Sequence, residues 1–222
     1  MAYLFTNNNK TYLYTHVPKT GGTSIEFALQ NDSNTNIITP NSLVGHMSTR
    51  DLKQVCESNK LSYEGFCKFS TIRNPWSWYV SHYSYLLNRL QRYGEGFDSD
   101  FADEVEVLKE ESFYRFIKFI HSNRDTLVFK NNGYNTPKYQ QMIDWVDGCD
   151  FILRMEDLTE ESLSIVGLNV DLPAEKKNTS THKHYTEYYD DHTMELVQDM
   201  HKDDIEVFGY RYGKPSMHCY AQ

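Results

Sequence analysis

Apolar positions along the chain recur at two periods. Alternation every second residue marks strands, and recurrence near 3.6 marks helices with one buried face. Thr11 to Val17, rich in tyrosine and β-branched residues, predicts the first recognisable strand. It runs straight into Pro18 and the Gly21-Gly22 pair. A helix is expected from about Thr23 to Gln30, with Ile25, Phe27, Ala28 and Leu29 mostly inward. Asn36 to Thr39 predicts a short second strand. Ser48 or Thr49 caps a helix through Asp51, Leu52 and Val55. Phe66 to Ile72, apolar on alternate positions, predicts a third strand ending at Arg73-Asn74-Pro75. A long aromatic helix, roughly Pro75 to Arg92, follows with Pro75 in its first turn.

The second half has the same grammar. Tyr93 to Asp103 reads as a loop, and Glu104 to His121 as a helix with Phe113, Phe116, Ile117 and Ile120 on one face. Ser122 to Pro137 is a polar, Asn-rich loop suited to a lid or to the acceptor side of a site. Lys138 to Val146 is expected to be helical, Asp150 to Met155 a fourth strand, and Glu160 to Val166 a short helix. Leu172 to Tyr189 is irregular. His192 to Phe208 is a last amphipathic helix closed by Gly209. Strands alternate with helices, which implies α/β architecture: a three-layer, P-loop-like fold with a central parallel sheet flanked by helices. Ligands then belong at the carboxyl ends of the strands. No repeat is visible, and residues 1–222 read as a single domain.

Composition narrows the function. Hydrophobic residues make up 39% and aromatics 14%, enough for a real core. Twenty-two basic and 31 acidic residues give a net charge of −9. That balance excludes a broad nucleic-acid footprint. It also disfavours a polyanionic acceptor unless a local basic groove exists. Cys56, Cys67, Cys149 and Cys219 form no C-x-x-C pair and read as thiols in a reducing compartment. No secretory leader and no membrane-length apolar run is visible, so the expectation is a soluble, cytoplasmic protein without membrane insertion.

The chemistry concentrates in two segments that follow strands. In Pro18-Lys19-Thr20-Gly21-Gly22-Thr23-Ser24, two glycines let backbone N–H groups converge on an anion. The helix N-terminus adds partial positive charge, Lys19 a full one, and Thr20, Thr23 and Ser24 hydroxyl donors. The nucleotide-triphosphatase pattern G-x-x-x-x-G-K-[ST] is absent, because the lysine precedes the glycines. In the second segment Arg73 ends a strand, and Ser81 lies about two turns into the next helix. An arginine fork and a hydroxyl suit a phosphate monoester.

Thr15-His-Val-Pro-Lys-Thr-Gly-Gly-Thr-Ser24 and Ser70-Thr-Ile-Arg-Asn-Pro-Trp-Ser-Trp-Tyr-Val-Ser81 together resemble the sulfotransferases that use 3′-phosphoadenosine-5′-phosphosulfate (PAPS). The likeness is greatest to the carbohydrate-type branch with the heparan sulfate 2-O-sulfotransferases and bacterial relatives. It implies that Lys19, Thr20, Gly21, Gly22, Thr23 and Ser24 hold the 5′-phosphosulfate, and that Arg73 and Ser81 hold the 3′-phosphate. PAPS is then the co-substrate, the 3′,5′-bisphosphate PAP the product, and no metal is required. Phe151 to Leu158, with Arg154-Met155-Glu156, resembles the family's late strand. The segment from Tyr185 to Tyr212 is similar to bacterial members. The Gly-rich nucleotide segment of the cytosolic small-molecule enzymes is not evident.

An acceptor hydroxyl must lose its proton, and histidine suits that role. His46, in Gly45-His46-Met47-Ser48, follows the second expected strand and matches the Gly-His segment that carries the base in 2-O-sulfotransferase-like relatives. His16, the nearest rival, reads as a packing residue. His182 and His184 are candidates for nucleotide or acceptor contact, as are Asn178, Thr179 and Ser180. His82, His121, His192, His201 and His218 read as helix-surface or tail residues. Trp76, Trp78 and Trp145 fit core packing better than adenine stacking. Lys19 is expected to approach the bridging oxygen of the leaving phosphate. The expected reaction is sulfuryl transfer to a hydroxyl-bearing acceptor: a glycan, glycolipid or small metabolite. Its alternatives are a kinase-like phosphotransferase and a non-catalytic nucleotide-binding module.

Overall fold

The computed structural model describes residues 2–40, 43, 45–94, 99–131, 133–173 and 182–214. The chain opens with a hairpin. Strand β1 (Tyr3–Asn7) turns at Asn8-Asn9 into β2 (Lys10–Thr15). Asn8 and Asn9 carry φ of 47° and 64°, the positive pair that a two-residue hairpin requires and asparagine tolerates. β1 precedes the first strand that the pattern revealed. Tyr3, Leu4 and Phe5 are apolar on both faces, which hides the period of two.

Helix α1 (Gly22–Asn31) leads to edge strand β3 (Thr35–Ile37), which pairs antiparallel with β1. Helix α2 (Thr49–Ser58) starts from Ser48 in a full capping box with Asp51. Strand β4 (Cys67–Ile72) pairs parallel with β2. Helix α3 (Pro75–Tyr93) is capped by Asn74, whose side chain accepts from the N–H groups of Trp76 and Ser77.

The helix expected over Glu104–His121 is two helices. α4 (Val105–Lys109) and α5 (Phe113–Asn123) part where Glu111 takes φ of 48° and Ser112 caps α5. The expected loop Ser122–Pro137 contains a second hairpin, β5 (Val128–Asn131) with β6 (Tyr134–Pro137). Helix α6 (Met142–Val146) begins later than expected, because Gln141 is extended. Strand β7 (Phe151–Arg154) pairs parallel with β4. Helix α7 (Glu160–Val166) spans its predicted range behind a Thr159–Ser162 capping box. The last helix divides at His201 into α8 (Asp191–Met200) and α9 (Lys202–Phe208), and Gly209 closes α9 in the left-handed region.

The main sheet has the order β3-β1-β2-β4-β7. The α/β class holds, but the sheet is mixed where a wholly parallel one was expected. β1 alone runs against the other four strands, because a two-residue turn joins it to β2 and imposes antiparallel pairing. Alternate residues serve opposite faces. Tyr3, Phe5, Tyr12, Tyr14 and Phe69 meet α1 and α7, while Leu4 and Leu13 meet α2. A larger core gathers Trp78, Tyr79, Phe116, Tyr139 and Trp145 from α3, α5, α6 and the turn before α6. The parallel trio β2-β4-β7 ends on one side of the sheet. There the chain reaches Pro18, Arg73 and Glu156.

Candidate active site

The turn after β2 is built by backbone geometry. Lys19 has φ of 64° and Gly21 of 92°. A positive φ is uncommon for a side chain such as lysine, and two contacts hold the turn. The Thr20 hydroxyl donates to the Val17 carbonyl at 2.7 Å and lies 2.9 Å from Thr71 Oγ1 on β4. The Trp78 indole donates to the Pro18 carbonyl at 2.6 Å. Thr20 is therefore a buried peg, and its hydroxyl faces the sheet. Gly21 caps α1 without a side-chain hydrogen bond, with Met155 and Leu158 packed beside it, so no side chain caps the N–H groups at the positive end of that helix. Gly22 is imposed by packing, since a Cβ there would lie 2.2 Å from His16 Nε2. Thr23 and Ser24 fill the first turn of α1, half-buried.

Arg73 joins the two motifs. Its Nη1 donates to the Lys19 carbonyl at 3.2 Å, across 54 residues, and its Nε donates to Ser77 Oγ at 3.0 Å. Ser77, Ser81 and Tyr85 recur every four residues and share one face of α3. At the far end of this stripe the Lys19 ammonium lies 4.0 Å over the Tyr85 ring. Ser81 is buried between. Ser77 escaped the sequence reading, although its spacing of four from Arg73 was the available signal. The Arg154-x-Glu156 segment braces the same corner. Glu156 accepts the Asn74 N–H at 2.7 Å, while Arg154 donates to the Phe208 carbonyl and lies 4.6 Å over the Tyr210 ring.

His46 sits beside this cradle. Its loop is held by Ala2 N–H donating to the Gly45 carbonyl at 3.2 Å and by the capping box that starts at Ser48. The His46 ring lies 5.4 Å from His16 and 4.8 Å from Phe129 on β5. His16, just past the end of β2 and half-buried, packs its ring against Tyr14 and His46 and its Nε2 against Gly22. Phe129 belongs to the hairpin found where a loop was expected, so that segment walls the site.

Burial sets the charge states. It pushes the His46 pKa down to about 3, leaving a neutral imidazole. Burial, then the nearby Arg73 cation, lowers Lys19 to about 8. Burial also raises the Glu156 carboxyl above its usual range. Two further histidines were misread as surface residues. His82 is fully buried in α3, because its ring fills a cage of Trp78, Phe101 and Tyr139. His201 is fully buried between α8 and α9, with Nδ1 2.7 Å from Asp204 Oδ2 and Nε2 3.0 Å from the Tyr79 hydroxyl.

The three tryptophans are core residues. His182 is half-buried and His184 exposed, and both bond locally, to the Lys183 carbonyl and the Thr186 hydroxyl. Asn178, Thr179, Ser180, His218 and Cys219 lie outside the described residues. Among the described residues no group of three or more His, Cys, Asp or Glu is placed to hold a metal ion. No described helix is long and apolar enough to cross a membrane.

Fold and site define an α/β protein with a glycine-capped strand–turn–helix cradle and an arginine–serine stripe beside it. A model of the sulfotransferase family matches residues 3–211, and the chain belongs to that family. Its reaction is a sulfotransferase-type transfer, and the family as a whole draws on a PAPS-type co-substrate. No curated protein and no solved structure matches the chain.

Proposed function

We propose that the chain moves a sulfuryl group from PAPS to a hydroxyl of an acceptor, with His46 as general base. The observation that carries this reading is the Arg73–Lys19 hydrogen bond. It puts a strand-end arginine beside the cradle, so two anionic groups of one nucleotide find separate cationic partners. The residues fit such a ligand. The glycine cap leaves the α1 terminus uncovered, and the Lys19 ammonium meets no carboxylate within ion-pair distance among the described residues.

When bound, PAPS supplies an activated sulfuryl group on a phosphate leaving group. Neutral His46 takes the acceptor's hydroxyl proton as the new O–S bond forms. Lys19 meets the charge left on the phosphate oxygen when the old S–O bond breaks. Backbone N–H groups from Gly21 to Thr23 hold the 5′ end, and Arg73, Ser77 and Ser81 hold the 3′-phosphate. Negative charge in the cradle opposes the burial that depresses His46 and strengthens it as a base. The Gly45-His46 loop also supports placement near the heparan sulfate 2-O-sulfotransferases, with a glycan among the acceptors.

The test is transfer of label from [35S]PAPS across a panel of glycans, lipids and phenols. A labelled product that disappears in His46→Ala, with PAP affinity kept, is the expected result. Turnover of ATP with magnesium and none of PAPS would replace this reading by a phosphotransferase.

A further inference from the structure

The β5–β6 hairpin meets the segment that carries His46 at two points. Phe129 on β5 and Thr136 on β6 sit directly opposite each other, and opposed residues of an antiparallel pair share one face. From that face the Phe129 ring lies 4.8 Å from the His46 ring. The Thr136 hydroxyl donates to Asp51 Oδ2 at 2.7 Å, across 85 residues. Tyr134, two residues before Thr136 and so on the same face of β6, packs against the cluster of Met47, Leu52 and Val55.

The Thr136 bond is more than the cap of α2 needs. Asp51 Oδ2 already accepts the Ser48 N–H at 3.2 Å and the Ser48 hydroxyl at 2.9 Å, and the Asp51 N–H returns a bond to Ser48 Oγ at 3.3 Å. That box closes without the hairpin. A valine at the buried position of Thr136 would fill nearly the same volume and suit a strand equally well, so what threonine adds is this one bond. The hairpin is itself anchored. Phe129 is buried against Phe101 and Trp145, and the Lys138 N–H closes its base on the Leu127 carbonyl at 2.8 Å. The stretch from His46 to Asp51 is thus held to one wall at both ends, by a ring at the first residue and a carboxylate at the last.

We propose that the β5–β6 hairpin positions the base: Phe129 sets the plane of the His46 ring, and Thr136, through Asp51, fixes the loop that carries it. Thr136 and Asp51 are then positioning residues that act through His46 without touching substrate. The inference rests on His46 as base and deepens that reading, since displacing a reacting group by about 1 Å can cost on the order of 10²-fold in rate.

Thr136→Val removes the hydroxyl and keeps the shape. It is expected to lower kcat for label transfer from PAPS about tenfold and to leave PAP affinity within about twofold, because other contacts build the cradle. Thr136→Ser, which keeps the hydroxyl, retains most of the rate. In the free protein the ring current of Phe129 displaces the His46 ring-proton resonances; Thr136→Val relaxes that displacement and Thr136→Ser preserves it. Should Thr136→Val fold poorly, Asp51→Asn, which keeps a cap oxygen without its charge, gives the same pattern at smaller amplitude. A hydroxyl that serves stability alone would lower the melting temperature and leave kcat and the His46 resonances of the folded protein in place, and that result overturns the inference, as does an equal loss of rate in Thr136→Ser. A parent that transfers no label brings down the PAPS reading and this inference with it; a parent that transfers label, matched by Thr136→Val, brings down the inference alone.

Discussion

Buried polar side chains border α3 in groups of two kinds, and their charges are met in opposite ways. In the C-terminal group the protein answers itself. Asp204 accepts from His201 at 2.7 Å, from the Met142 N–H at 2.7 Å and from the Ile143 N–H at 2.8 Å, while His201 reaches the Tyr79 hydroxyl. The Lys138–Glu104–Tyr139 group is equally closed. In the cradle group cations crowd together. Lys19 faces an aromatic ring, and Arg73 a carbonyl and a hydroxyl. A satisfied network fixes a fold, whereas two neighbouring cations, Lys19 and Arg73, are the arrangement that the proposed nucleotide would use. The two are joined, because Met142, anchored by Asp204, accepts the Arg73 N–H on its sulfur at 3.3 Å.

The contrast is broken most severely by exchanging the two effects. Asp204→Ala strands a buried histidine and two backbone donors, so unfolding free energy should drop by about 3–5 kcal/mol in urea melts. Lys19→Ala should leave the melt nearly unchanged and lower kcat by about 10²–10³-fold, the cost of one well-placed donor. A cradle variant that unfolds the protein while the Asp204 variant does not would invert the assignment. Arg73→Ala should weaken PAP binding by roughly 10–100-fold, as loss of a charged hydrogen bond does. Unchanged affinity would misplace the 3′-phosphate.

Titration sharpens the same contrast. Lys19, with its pKa lowered to about 8, loses its proton in the free chain as pH rises through that value. Anion binding needs the proton, so PAP affinity should fall above pH 8, approaching tenfold per unit. Lys19→Arg, charged throughout, should flatten the profile. The smallest effect belongs to Ser77→Ala, about 1 kcal/mol in PAP affinity, because it removes one neutral hydroxyl, which orients Arg73 and reaches the 3′-phosphate, and leaves the cation in place.

How much of this the sequence disclosed depends on range. Local rules carried far: Pro75 at the start of α3, the cap at Ser48, the α7 range and the glycines of the cradle follow from short-range geometry. The hairpin β5–β6 and strand β1 were hidden, since their partners give no local signal in polar or uniformly apolar stretches. Candidate site residues were legible where a motif concentrated them, and the structure brings two of these, Lys19 and Arg73, together. The inward turn of Thr20, the approach of His16 to Gly22 and the burial of His82 and His201 depend on packing between distant segments, which periodicity on one helix does not reveal.

The central claim is that the cradle and the Arg73 stripe bind one nucleotide at two anionic groups. Calorimetric titration with PAP, adenosine 5′-phosphate and adenosine 3′-phosphate tests it most directly. PAP should bind far more tightly than either monophosphate, with Arg73→Ala reducing PAP to the level of the 5′-monophosphate and Lys19→Ala reducing it toward the 3′-monophosphate. Equal affinity for all three, or a PAP affinity indifferent to both variants, would contradict the account.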